Sequence, residues 1–88
     1  MPNKKEIIKD VNEFISKFSR HPANKLEDKY ILTKQPIMLD KYQLAFLAIS
    51  LRGYVKNFKA SQTVLVTELR KSKLTVKGLQ ELIINKIL

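Results

Sequence analysis

Few side chains in this sequence could perform covalent chemistry. His21 is the only histidine, it precedes Pro22 in a polar stretch, and there is no cysteine. Glu27 and Asp28 form an adjacent acidic pair, and in most local geometries neighbouring side chains point apart. No histidine or carboxylate set has the spacing of a metal site. Gly53 and Gly78 stand alone, so the sequence contains no glycine-rich phosphate loop. The expectation is a non-enzymatic protein that uses no cofactor and no metal.

What the chain offers in quantity is positive charge. Seventeen lysines and arginines against eight acidic residues give a formal net charge of +9 over 88 residues. The excess is uneven. Residues 1–51 carry nine cations and six acids, whereas residues 52–88 carry eight cations and only Glu68 and Glu81. Such a field attracts polyanions, for which nucleic acid and anionic membrane surfaces are the usual candidates. Arg52, Lys56 and Lys59 stand at i, i+4 and i+7, which places them on one helix face within about 60°. Arg70, Lys71 and Lys73 follow as a second cluster around Ser72.

That second cluster sits at an elbow. Residues 61–88 read as a short amphipathic segment, a basic turn and a clearer helix, the outline of a helix-turn-helix nucleic-acid reader. In this reading Arg52, Lys56, Lys59, Arg70, Lys71 and Lys73 contact phosphate. Thr75 caps the last helix and reaches a phosphate beside the positive helix end. Thr75, Lys77 and Gln80 face the groove, where lysine and glutamine can reach base edges. DNA is expected rather than RNA, because Tyr54 and Phe58 lie opposite the cations and are assigned to the core instead of to base stacking. Transcriptional regulation or plasmid and phage DNA handling would be typical uses. Ile84 and Leu88, outward-facing at i, i+4, are candidates for self-association, and a dimer would suit a two-fold symmetric site. The competing expectation is a small basic helical protein of the immunity or inhibitor type. It would act on a protein partner or near an anionic membrane, with Ile84 and Leu88 as the interface.

The elements that must position these residues are mostly helical. Ile7, Ile8, Val11, Phe14, Ile15 and Phe18 recur at helical spacing, predicting a helix over 3–19 with Asn3 as cap and a stop at His21-Pro22. Asp40 caps a second helix over about 40–58. Its first half, from Tyr42 to Leu51, is apolar nearly all round, which predicts a helix enclosed in the middle of the domain. Ser61 is a cap candidate for a short helix, although Thr63 to Thr67 has strand-like composition. The last helix, 75–87, turns Val76, Leu79, Leu82, Ile83 and Ile87 to one face. Tyr30 to Thr33 and Ile37 to Leu39 read as two short extended pieces or a packed loop.

The predicted fold is therefore mainly α: a compact single domain over 1–88, of about four helices, with a helix-turn-helix-like C-terminal unit and a short extended segment near 29–39. The lack of cysteine fits a reducing, cytoplasmic setting. Acidic residues Glu6, Asp10 and Glu13 interrupt any signal-peptide core. The longest apolar run, Leu44 to Leu51, falls far short of the ~20 residues that span a bilayer.

Overall fold

Three well-capped helices carry the structure. The computed structural model describes residues 2–88; Met1 lies outside the described residues. Helix α1 (Lys4–Ser19) begins where the Asn3 side chain accepts the Glu6 N–H, and it ends at Arg20 in a left-handed conformation. It buries Ile7, Val11 and Ile15, with Ile8, Phe14 and Phe18 packed at the margin of the core. One turn of 3-10 helix follows at Ala23–Lys25. Helix α2 (Lys41–Lys56) starts with a reciprocal cap: Asp40 accepts the Gln43 N–H while Gln43 Oε1 accepts the Asp40 N–H. The Gln43 amide also donates to the Phe18 carbonyl at 2.9 Å, pinning the first turn of α2 to the end of α1.

Helix α3 (Val66–Leu69) is a single turn, and α4 (Val76–Ile87) is capped by Thr75, whose hydroxyl accepts the Gly78 N–H at 3.0 Å. Helix α1 packs against both α2 and α4, and α4 also touches α2. Leu44, Leu47, Leu51, Val55, Leu79, Ile83 and Ile87 fill the shared core. The radius of gyration, 11.8 Å, equals the roughly 12 Å of a compact domain of this length. The mainly α, single-body prediction holds. Among the described residues no helix is long and apolar enough to cross a membrane.

Four expectations are decided by the structure. First, of the two readings of residues 29–39 the packed loop holds, and the segment forms no strand. Ile31 makes an isolated antiparallel bridge with Thr75, and the Leu32 N–H donates to the Leu74 carbonyl at 3.0 Å. The chain then reverses so that the Leu39 N–H reaches the Leu32 carbonyl at 2.9 Å. Leu32, Ile37 and Leu39 all enter the core, so burial of these three, rather than a ladder, holds the segment. Second, Ser61 caps nothing. The chain stays irregular through Leu65, with Val64 driven into the core, and the α3 turn begins only at Val66.

Third, Ile84 is not outward-facing. It is only 8% exposed, because α4 is flanked by two helices and needs a wider apolar face than one stripe. Fourth, α2 is not enclosed. Tyr42, Phe46 and Ile49 are 65%, 57% and 56% exposed. At about 100° per residue they lie on the side opposite Leu44, Leu47, Ala48, Leu51 and Val55.

Candidate nucleic-acid interface

The basic elbow is held by backbone geometry. The Arg70 N–H closes the α3 turn on the Val66 carbonyl, and the Leu74 N–H returns to the Lys71 carbonyl at 3.1 Å. Arg70, Lys71, Ser72 and Lys73 between these bonds are all exposed. Glu68, the nearest acidic residue in sequence, is already engaged. Its carboxylate accepts the Leu65 N–H at 2.9 Å and pairs with the Lys86 ammonium at 3.1 Å. Partial burial pushes the Glu68 carboxyl upward, but the Leu65 N–H, Lys86 and Lys71 outweigh it and hold its pKa below the ordinary 4.5. The elbow thus projects three exposed cations, of which Lys71 feels the Glu68 carboxylate, while the direct partner of that carboxylate is Lys86.

A depressed folded pKa stabilises the fold above the ordinary carboxylate value, and that contribution fades as pH falls through the lowered value. Melting temperature should therefore drop on acidification below about pH 4.5, and Glu68→Gln should flatten that acid limb. A limb of unchanged steepness in Glu68→Gln would remove this ion pair from the acid response.

The predicted groove-reading residues do not assemble. With α3 reduced to one turn, the expected pair of helices around the elbow becomes a turn and a helix. Gln80 is only 3% exposed and donates through Nε2 to Asn12 Oδ1 at 2.8 Å, joining α4 to α1. Thr75 spends its hydroxyl on the helix cap. Nor does the start of α4 offer free N–H groups to a phosphate. Val76 donates to the Tyr30 carbonyl at 2.8 Å, Lys77 to the Asp28 carbonyl at 3.1 Å, and Gly78 to Thr75. Lys77 itself is exposed and borders a hollow of about 570 Å³ whose lining holds Lys4 as well as Asp28 and Glu81.

Gln80→Ala should lower stability by about 1–3 kcal/mol through the lost buried hydrogen bond and the space left between α1 and α4. Chemical denaturation would measure this. A variant as stable as the parent would contradict a structural role for Gln80.

The second cation cluster is also partly committed. Arg52 Nε donates to the Val64 carbonyl at 3.3 Å, and Lys56 Nζ donates to the Ala60 carbonyl at 3.2 Å. These bonds tie the end of α2 to the loop that leads into α3, and Lys59 is half-buried there. Behind them Tyr54 stacks edge-on with Phe14 and Phe58, at centroid distances of 5.5 and 5.3 Å. Its hydroxyl donates to Asp10 Oδ2 at 2.7 Å, and burial together with that carboxylate pushes its pKa well up. Tyr54 is thus half-buried, in keeping with its assignment to the core. Phe58 is exposed and that assignment fails for it, because α2 ends at Lys56 and, among the described residues, the ring stacks on Tyr54 alone.

Of the proposed self-association pair only Leu88 is exposed, at 55%. The exposed residues that sequence reasoning missed are Tyr42, Phe46 and Ile49. A signal for them existed: a stretch of helix apolar nearly all round, from Tyr42 to Leu51, needs neighbours on every side. With only two other long helices among the described residues, such neighbours are not supplied. Among the described residues, no group of His, Asp and Glu could hold a metal ion. Comparison of the chain with protein-family models, curated proteins and solved structures finds no significant match.

Proposed function

We propose that this protein is a non-enzymatic nucleic-acid-binding protein that grips the phosphate backbone of duplex DNA through its basic elbow. The observation that carries this reading is the exposed set Arg70, Lys71 and Lys73, set on a hydrogen-bonded turn beside a glutamate that Lys86 already neutralises. Lys71 and Lys73 present ammonium charges and Arg70 a planar guanidinium fork, groups suited to phosphate positioning. Of the α4 side chains expected to read bases, Gln80 is bonded inward and Lys77 alone is exposed. Binding is accordingly expected to show little preference among sequences.

The test is affinity for a duplex across a salt series. Each phosphate neutralised should lower log affinity by about 0.9 per tenfold rise in salt. A chain that fails to bind any duplex near ~50 mM salt, where phosphate contacts are strongest, would end this reading. The rival class, a protein-interaction function, is favoured by a separate observation, the open apolar face of α2.

A further inference from the structure

The solvent side of α2 combines three features that the fold itself does not require. Tyr42, Phe46 and Ile49 lie more than half exposed at i, i+4 and i+7. Gly53 continues the same line one turn further, within about 60° of the others. A methyl group added at Gly53 would meet nothing within 4 Å. The helix would therefore gain about 0.5–1 kcal/mol from alanine there, so neither packing nor backbone conformation calls for glycine. Lastly, cations bracket the stripe. The Lys41 ammonium lies 5.2 Å from the centre of the Tyr42 ring, and the exposed Lys56 stands at the far end with its ammonium 3.2 Å from the Ala60 carbonyl. The one carboxylate nearby is Asp40, which caps the helix, while α2 itself contains no acidic residue.

We infer that this face of α2 docks an acidic amphipathic helix of a partner protein. An apolar line of this kind marks an interaction surface, and anchors at i, i+4 and i+7 suit a helix laid alongside. The Gly53 notch lets an opposing backbone come close. Charge selects the occupant. If a second copy packed α2 against α2 in antiparallel fashion, Lys41 of each would meet Lys56 of the other. In parallel packing Lys41 would meet Lys41. Like charges oppose both arrangements, whereas carboxylates at the two ends of a foreign helix satisfy Lys41 and Lys56 together. A lipid surface fits less well, since burial in lipid grows with apolar side-chain area and Gly53 contributes none.

The experiment uses the whole chain and a labelled helical peptide with leucine at i, i+3, i+4 and i+7 and glutamates flanking that face. The control is the same peptide with lysines in place of glutamates. Anisotropy should report binding of the glutamate peptide with a Kd of about 100 µM or tighter. The lysine peptide should bind at least about tenfold more weakly. Phe46→Asp changes an exposed side chain, and circular dichroism should give the parent spectrum while peptide affinity falls about tenfold or more. Gly53→Ala should raise the melting temperature yet weaken the peptide several-fold. Arg70→Ala/Lys71→Ala/Lys73→Ala should bind the peptide as the parent does, which separates this face from the basic elbow.

Four outcomes overturn the inference: no binding of the glutamate peptide, equal binding of both peptides, indifference to Phe46→Asp, or loss of binding in the elbow variant alone. Sedimentation showing a dimer that Phe46→Asp dissolves would assign the face to a second copy. Phe46-dependent binding to vesicles containing phosphatidylserine, without peptide binding, would assign it to a membrane.

Discussion

Replacing Leu47 with alanine should cost about 3 kcal/mol, whereas replacing its neighbour Phe46 should cost no more than about 0.5 kcal/mol. Leu47 is fully enclosed in the core shared by α1, α2 and α4. Truncating it removes buried methyl groups and leaves a void that three anchored helices cannot close. Phe46 is larger, but most of its ring already faces water, so the folded and unfolded states lose similar hydration on truncation. The contrast reverses the usual ranking by size. A domain of this length has total stability on the order of 5–10 kcal/mol, so Leu47→Ala should lower the melting temperature by about 15 °C. Urea unfolding of the two variants side by side measures both. If Phe46→Ala proves as damaging as Leu47→Ala, the outer face of α2 is covered in solution.

The second large effect concerns the elbow. Changing Arg70, Lys71 and Lys73 together to alanine should reduce duplex affinity by about two to three powers of ten near ~0.1 M salt. It should also reduce the slope of log affinity against log salt by about 2–3, since each phosphate contact contributes about 0.9. The loss should be similar on unrelated sequences, because phosphates carry no sequence information. Stability should hardly move, since all three side chains are exposed and the turn is made by backbone bonds. By contrast, Arg52→Ala should be felt in the fold, because its guanidinium holds the Val64 carbonyl. An elbow variant with the parent's affinity and salt slope would remove these cations from DNA binding.

The parts of this fold that could be read from the sequence are those governed by local physics. Asn3, Asp40 and Thr75 each cap a helix with their own side chain, and a capping residue next to a periodic apolar run is visible in the sequence. The parts that could not be read depend on partners far along the chain. Gln80 looks like a free polar residue until Asn12 is brought beside it. Ile84 falls off the main stripe of α4 and becomes core only because two helices flank that element. The apolar content of α2 indicated burial, yet only half of that surface finds a neighbour. Residues 29–39 have β-like composition, but one bridge to Thr75 is all the pairing their surroundings provide. The elbow cations were legible as charge. Which of the other cations would be tied to carbonyls was not.

The donors at the start of α4 have a consequence for the motions of the chain. First-turn amides of a helix ordinarily exchange with solvent early, because fraying frees them. Here Val76 and Lys77 donate to Tyr30 and Asp28, in the middle of the sequence. Their protons can leave only when two distant stretches of backbone separate, an event that also withdraws Leu32 and Val76 from the core. The first turn of α4 should therefore behave in hydrogen exchange like the centre of a helix, opening with the whole domain and not ahead of it.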